Sequence, residues 1–344
     1  MATTADAITT LQFYPKRSAV RRYFALWYFT GLLIIWNILG HLFLGFEQSH
    51  IQPLVGLATA ISLQFLLEWI DARASDRKPR FAGSWADLVN FLPPAIIPGL
   101  AVTMLLYPNE RLMPVIFGVG LAICSKVIFR APVGEGKTQH IFNPSNLGIV
   151  ATLLLFPSIG VAPPYHFTEN LTGMWHWALP GFVLATGLIV HALFTGRLTL
   201  VLTWLVAFII QGQLRSWYFG TSWIVPLTPM TSAAFMVFTL YMIPDPATTP
   251  VKPLRQVLFA IAIAAVYGLL LVEHVVYGLF IALAIVCAMR GVGLYAWAAW
   301  QSFRKSQGTC NSIAAHVSSY GFHVLRELIL PDTCPPWSRR SGVG

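Results

Sequence analysis

Two polar stretches interrupt an otherwise apolar chain, and their side chains are the ones that could do chemistry. The first, HIFNPSNLGI, runs from His140 to Ile149 and places amides and hydroxyls at the start of an apolar run. The second, PMTSAAFMVFTLYMIPDPATTP, runs from Pro229 to Pro250 and is polar at both ends of a helix-length apolar segment. The candidate ligand-binding residues in the two stretches are Asn143, Ser145, Asn146, Thr231, Ser232, Asp245 and Thr248.

Amides, hydroxyls and a carboxylate at the ends of apolar helices can hold a ligand by hydrogen bonds. In this hypothesis the polar residues of the first stretch line one side of the ligand, and the hydroxyls of Thr231 and Ser232 line the other. Asp245 and Thr248 fix the cytoplasmic end of the second stretch. An alternative stays open, because Asn143 and Asp245 each precede a proline and are also typical helix caps.

The composition indicates a membrane protein. Hydrophobic residues make up 56% of the 344 residues, charged residues make up 10%, and the mean hydropathy is +0.66. These values lie outside the usual range of soluble domains. The net charge of +9 is spread over short loops between apolar runs, whereas nucleic-acid binding needs basic residues gathered on one solvated face. We therefore expect a lipid bilayer as the partner and no nucleic acid.

The apolar runs set the expected fold. A helix needs about 20 apolar residues to cross a bilayer, and somewhat fewer when it is broken or buried in a bundle. Ten runs qualify, at residues 24–46, 53–70, 86–107, 113–129, 144–161, 177–194, 198–214, 229–243, 257–272 and 275–289. The sequence therefore predicts an all-α integral membrane protein of about ten transmembrane helices, with a cytoplasmic arm (1–20), a membrane domain (21–293) and a cytoplasmic helix and tail (294–344).

The basic residues predict the orientation. Only Arg111 and Arg215 fall in loops assigned to the outer side. Because loops that stay in the cytoplasm carry the excess of lysine and arginine, and the number of runs is even, both termini are expected in the cytoplasm and the chain in the cell membrane. The four cysteines lack metal-ligand spacing, so no metal site is expected.

Two segments of the chain share a weak internal similarity. FLPPAIIPGLAVTMLLYP, from Phe91, and PLTPMTSAAFMVFTLYMIP, from Pro226, both have a proline-rich start, an apolar body, and tyrosine and proline near the end. The prolines remove backbone donors and break a helix. The two segments lie five runs apart, so they would cross the membrane in opposite directions, as in inverted repeats that place a site where broken helices meet. Chance similarity between two apolar segments is the alternative.

The chain resembles the membrane flavin subunits of ion-pumping redox complexes, the RnfD and NqrB family. The resemblance is carried by IFNPSNLGI, at Ile141–Ile149, and TSAAFMVFTLYMIPDPATT, at Thr231–Thr249. Within that superfamily the chain is similar to the UnbU-type membrane proteins of enediyne biosynthesis clusters. Segments that carry this second likeness include HLFLGFEQ, LLEWIDARA, FRAPVG and AAVYGLLLVEHVVYGLF, and the likeness covers roughly residues 21–293.

The resemblance implies a ten-helix fold of two inverted five-helix repeats with broken helices. In the redox subunits of the family, flavin mononucleotide (FMN) is bonded through its phosphate to the threonine of a Ser-Gly-Ala-Thr motif. Alignment backward from the Asp-Pro pair places that motif on Ser232, Ala233, Ala234 and Phe235. A phosphoester needs a hydroxyl group and phenylalanine has none, so covalent FMN is not expected. A noncovalent flavin, another planar ligand or no ligand all stay open.

The resemblance also implies a function and partners. The first hypothesis is an electron-transfer subunit, rather than a stand-alone enzyme, that works with other redox or pathway proteins in enediyne biosynthesis. The second is a carrier or exporter of a hydrophobic product or precursor, because inverted repeats with broken helices suit alternating access. The third is a scaffold that docks pathway enzymes on the basic cytoplasmic loops.

Overall fold

The computed structural model describes residues 23–109, 111–134, 137–162 and 170–319. The predicted N-terminal arm and residues 320–344 of the predicted tail lie outside this part of the chain. The helices are α1 (Tyr23–Leu44), α2 (Ile51–Ala74), α3 (Trp85–Phe91), α4 (Pro93–Leu105), α5 (Leu112–Ile128), α6 (Pro144–Leu155), α7 (Trp175–Val190), α8 (Leu198–Phe219), α9 (Ala233–Val237), α10 (Pro253–Val272) and α11 (Gly278–Ser319).

Short irregular segments and strands complete the fold. A 3₁₀ segment, Val225–Thr231, precedes α9, and a π-helical segment, Phe238–Met242, continues it. A second π-helical segment, His191–Thr195, extends α7. The four strands are β1 (Leu106–Tyr107), β2 (Arg130–Gly134), β3 (Lys137–His140) and β4 (Gly160–Val161). They form two small sheets, in which β1 pairs with β4 in antiparallel register and β2 pairs with β3.

Among the described residues, seven helices are long and apolar enough to cross a membrane. They start at Tyr23, Ile51, Trp85, Trp175, Leu198, Pro253 and Gly278. The bent pair Val225–Thr231 and Phe235–Met242, with 80° between its halves, could form an eighth span. The chain is therefore a helical, multi-pass membrane protein.

The predicted number of ten spans is not confirmed, because one predicted run forms the bent pair and two others form helices that are too short. The fourth and fifth apolar runs form α5 and α6, which are apolar but have 17 and 12 residues. At 1.5 Å per residue α6 is about 18 Å long, well short of a hydrocarbon core of about 30 Å. The inverted repeat likewise stays a prediction.

The described chain forms two compact units. The larger lies within residues 1–129 and 140–288, and the smaller lies within residues 130–139 and 289–344. In the larger unit α2 packs against α4 and α5, α5 packs against α6, and α8 packs against α10. Its core includes fully buried large side chains such as Trp204, Phe208 and Phe238.

The proline break predicted in the third apolar run is present. It lies at Leu92, where α3 ends and α4 begins with two prolines. Neighbouring side chains satisfy carbonyls at the break, because the Gln64 amide donates to the Phe91 carbonyl and the Lys126 ammonium donates to the Pro94 carbonyl. Such compensation is what allows a broken helix at membrane depth. This span is also the most buried of the seven, with 56% of its apolar window inside the protein.

Glycines allow α5 and α6 to pack with their backbones in contact. A Cβ atom added to Gly148 would lie 2.3 Å from the carbonyl oxygen of Gly118, a distance that no real contact allows. Small residues at such crossings are typical of membrane helices, whose association depends on close van der Waals packing. The crossing holds α6, and therefore Asn143 before its first turn, in place.

We expect Gly148→Ala to lower the free energy of unfolding by about 2–3 kcal/mol, because the backbones of α5 and α6 must separate to admit the methyl group. The measurement is the thermal unfolding midpoint of the purified protein in detergent. Gly181→Ala in α7 is the matched control, since a Cβ there would meet nothing within 4 Å. Equal midpoints for both variants would contradict the close crossing.

Candidate functional site

The first polar stretch forms the N-terminus of α6. The Asn143 Oδ1 atom accepts a hydrogen bond from the Asn146 backbone N–H at 3.0 Å, which caps the helix as the alternative interpretation expected. The other half of the same amide has a longer-range role, because Asn143 Nδ2 donates to the Met242 carbonyl oxygen at 3.1 Å. Asn143 is only 6% exposed. It is therefore both a helix cap and a buried link between the two polar stretches.

Asn146 connects the same region to the last span. Its Nδ2 atom donates to the Phe280 carbonyl oxygen of α11 at 3.0 Å. Its Oδ1 atom is buried and has no hydrogen-bond partner. Ser145, on the same turn, is also buried. Asn146 Oδ1 is therefore an unused acceptor inside the bundle, of the kind that a ligand or a water molecule would satisfy.

The second stretch begins with local capping interactions. Ser232 Oγ accepts a hydrogen bond from the Phe235 backbone N–H at 3.0 Å, so it caps α9. Thr231 Oγ1 donates to the Thr228 carbonyl at 2.8 Å, and Thr231 is exposed. Both hydroxyls are therefore engaged within their own turns.

The second stretch ends in a tight turn around Asp245. The Asp245 Oδ1 atom accepts from the Ala247 backbone N–H at 3.0 Å, and Oδ2 accepts from the Thr248 hydroxyl at 3.2 Å. The Asp245 carbonyl oxygen accepts from the Thr249 hydroxyl at 2.7 Å. Thr248 and Thr249 are each 1% exposed. Asp245 and Thr248 thus fix this end of the stretch by hydrogen bonds within one turn, the geometry of an Asx-turn.

Two cations from other parts of the larger unit act on the half-buried Asp245. Burial raises the pKa of the Asp245 carboxyl, and the hydrogen bonds from Ala247 and Thr248 and the positive charges of Lys126 and Arg197 oppose that rise without cancelling it. Arg197 is 5% exposed and donates to the Thr249 carbonyl at 3.4 Å. A carboxyl group lies here between positive charges in a poorly hydrated place, which is typical of functional sites.

Sequence reasoning missed the part that Lys126 and Arg197 play, because it used both residues only to assign the orientation of the helices. A signal was nevertheless present in the printed sequence. The chain has only 13 acidic residues, and Asp245 is one of few that are next to an apolar run without a basic residue beside it. A carboxylate placed so needs a positive partner from another helix.

The structure brings some of the predicted residues together and leaves others apart. The Asn143 amide reaches Met242, three residues before Asp245, so the first stretch meets the Asp245 end of the second. Thr231 and Ser232 lie at the opposite end of α9 and its π-helical continuation. The framing of one ligand by all seven candidate residues stays a prediction.

Phe235, at the position that aligns with the flavin-bearing threonine, fills an aromatic cluster. Its side chain is 4% exposed, and its ring centroid lies 4.8 Å from that of Phe208 and 6.4 Å from that of Trp204. Phe208 in turn stacks on Tyr267 at 5.7 Å. This position has no hydroxyl and no open face, so it does not fit a covalently bound FMN.

In the part of the chain that the structure describes, no group of three or more His, Cys, Asp or Glu residues is placed to hold a metal ion. No protein-family model matches the chain, and a search of curated proteins finds no significant match. Any function for the chain is therefore a proposal, argued from the residues, their geometry and the resemblance given above.

Proposed function

We propose that the chain is a redox-type membrane subunit, of the kind that its resemblance to the RnfD and NqrB family implies, and that it works in an enediyne pathway without covalent FMN. One observation carries the proposal. The two segments on which the resemblance depends meet at a buried hydrogen bond, from Asn143 to the Met242 carbonyl, beside the Asp245 turn. Two distant segments that build one polar junction are what a shared site requires.

The chemistry of the junction supports a bound ligand. The unpaired Asn146 Oδ1 suits a ring N–H donor such as the one that an isoalloxazine carries, so a flavin held without a covalent bond is part of the proposal. Such a cofactor supplies electron transfer. The protein's own contribution is to orient the ligand through the α6 amides and to exclude water through the aromatic core.

The experiment is to purify the full chain in detergent and to record its visible absorbance and intact mass. We expect a flavin spectrum that denaturation releases into the soluble fraction, and an intact mass that equals the mass of the chain alone. Asn146→Leu should retain less flavin than the original chain, whereas Thr231→Ala, which changes an exposed hydroxyl, should retain the same amount. Absence of flavin absorbance, with no gain after reconstitution with FMN or FAD, would rule out the redox role.

A carrier of a hydrophobic pathway compound is the second candidate, and the bent span is the observation that favours it. The segments before and after Ser232 meet at 80°, and broken helices of this kind are typical of alternating-access carriers. A deletion strain separates the two functions. Loss of the product with accumulation of an intermediate supports the redox role, and normal synthesis with retention of the product inside self-poisoned cells supports the carrier.

A further inference from the structure

Two histidines meet where the chain turns from α1 into α2, outside both polar stretches. His41 lies in the π-helical last turn of α1, and His50 directly precedes the first residue of α2. Their ring centroids lie 5.5 Å apart, with 56° between the ring planes. The cysteine spacing, from which the sequence predicts no metal site, does not apply to two histidines that a chain reversal brings together.

A hydrogen bond fixes the tautomer of His41. Its Nδ1 atom lies 2.9 Å from the Asn37 carbonyl oxygen. A carbonyl oxygen can only accept, so Nδ1 carries the proton and donates. In the neutral ring Nε2 then keeps its lone pair, and this atom is buried without a hydrogen-bond partner. Metal-bound histidines are commonly oriented in this way, with the second ring nitrogen donating to a carbonyl or carboxylate oxygen.

A second aromatic ring packs against His41. The Phe46 centroid lies 5.5 Å from that of His41, with 61° between the ring planes, and Phe46 is 6% exposed. Gly40 makes room for this ring, because a Cβ atom there would lie 2.3 Å from a Phe46 ring atom. The His41 ring is therefore held by packing as well as by its hydrogen bond.

Two glutamines fix the chain on either side of His50. Gln48 Nε2 donates to the Leu106 carbonyl oxygen at 2.6 Å, and Gln52 Nε2 donates to the same oxygen at 3.1 Å. Both glutamines are buried. The backbone that carries His50 is therefore anchored to the end of α4, although the His50 side chain itself is exposed.

The separation of the two rings fits one bound ion. A zinc–nitrogen bond of about 2.0–2.1 Å puts an imidazole centroid about 3.2 Å from the ion, so two imidazoles on a tetrahedral ion have centroids about 5 Å apart. The observed 5.5 Å is close to this value. Because His50 is exposed, its ring can turn to present a nitrogen to the ion.

Two further buried acceptors lie in the same corner without a hydrogen-bond partner, Asn37 Oδ1 and Gln48 Oε1. Their amides are oriented by donation to backbone carbonyls, from Asn37 to Leu33 and from Gln48 to Leu106. Both amides also contact Met104, Asn37 at its sulfur and Gln48 at its carbonyl oxygen. Water bound to a metal ion is a hydrogen-bond donor, which is the group that these acceptors lack.

The charge of the turn also favours a cation. Residues 45–50 include Glu47, which is exposed, and they include no lysine or arginine. No third histidine, cysteine, aspartate or glutamate joins the pair among the residues that the structure describes. A metal ion here has two protein ligands and completes its coordination with water.

We propose that His41 and His50 bind one divalent transition-metal ion, of the class that includes zinc and copper, and that the ion joins the end of α1 to the start of α2. Imidazole nitrogens favour these ions over magnesium and calcium, which prefer oxygen ligands. With two protein ligands instead of the four of a structural zinc site, the ion exchanges with the solution. The site is independent of the redox or carrier role.

The test is metal binding by the full chain in detergent, purified without a polyhistidine tag. We expect one Zn²⁺ per chain to bind saturably and to raise the unfolding midpoint. We expect Cu²⁺ in the same site to show hyperfine coupling to two imidazole nitrogens in its electron paramagnetic resonance spectrum. His50→Gln should weaken zinc binding by about 100-fold, the upper end of the cost of losing an outer-shell partner, and should leave coupling to one imidazole.

His176→Gln is the matched control, because His176 is another exposed histidine near the end of a helix in the larger unit. Its zinc affinity and copper spectrum should equal those of the original chain. Equal weakening in His50→Gln and His176→Gln would indicate an adventitious ion only, and so would the lack of saturation. His41→Gln should lose as much affinity as His50→Gln, and full retention would contradict the pair. If His41→Gln fails to fold, the exposed His50 still decides the outcome.

Discussion

Phe235→Ala is expected to lower the free energy of unfolding by about 3 kcal/mol, the low end of the range for removing a buried phenylalanine ring. Phe235 is 4% exposed and contacts Phe208 and Trp204 on α8. Its removal leaves a cavity where three rings meet. The low end applies because lipid is as apolar as the protein interior, so the loss comes from packing more than from transfer to water.

The measurement is the unfolding midpoint of the purified variant in detergent, compared with Phe219→Ala. Phe219 is also a phenylalanine of a membrane helix, but it is 55% exposed, so its removal should change the midpoint little. Phe235→Thr adds a second observation, because it restores a hydroxyl at the family's attachment position. We expect it to be destabilised and to carry no covalent FMN, since the side chain points into the ring cluster. Unchanged stability of Phe235→Ala would contradict the packing of Phe235 against Phe208 and Trp204.

Much of the fold follows from the sequence, because hydrophobicity and proline act locally. The apolar runs predict where helices lie, and the prolines after Leu92 predict the break in the third run, which the structure confirms. A count of apolar residues alone does not give how far each run stays helical. The apolar run through α6 continues past Leu155, yet the helix ends there and the chain turns through Pro157. The residue before a proline is disfavoured in a helix, so Pro157 is a local signal that the count of apolar residues does not include.

The sequence predicts the parts of the candidate site that depend on residue type and on neighbours along the chain. Asn143 and Asp245 each stand before a proline, and the structure confirms the cap at Asn143 and the turn at Asp245. The partners of the α6 amides are the backbone carbonyls of Met242 and Phe280. Every residue has a backbone carbonyl, so the sequence does not show which ones accept these hydrogen bonds. Long-range polar contacts of this kind can be found only from the three-dimensional structure.

Asp245→Asn is expected to change how stability depends on pH. Burial holds the pKa of the Asp245 carboxyl above its ordinary value in the folded protein. A group whose pKa rises on folding stabilises the protein fully below its unfolded pKa of about 4, and that contribution is lost as the pH rises through the folded pKa. The original chain should therefore lose stability relative to Asp245→Asn as the pH rises above about 4.

The substitution isolates the charge, because asparagine can keep the hydrogen bond from Ala247, and the Thr248 hydroxyl can accept from its amide. Thermal unfolding of both proteins at several pH values between 4 and 7 gives the comparison, and Asp76→Asn is the control. Asp76 is exposed and has a φ of 47°, a conformation that asparagine also tolerates. The unfolding midpoint of Asp76→Asn should therefore change with pH as that of the original chain does.

Asp245→Ala should have the larger effect at neutral pH, about 2–3 kcal/mol, because it removes the oxygens that accept hydrogen bonds from the Ala247 N–H and the Thr248 hydroxyl, which asparagine can still satisfy. Which variant is less stable at neutral pH, together with the change in unfolding midpoint with pH, shows whether burial or the two positive charges dominates at the turn. If the original chain instead gains stability over Asp245→Asn as the pH rises, the two cations outweigh burial and the folded pKa is lowered. Asp245 would then be a structural ion-pair partner, and its place in the candidate site would have to be given up.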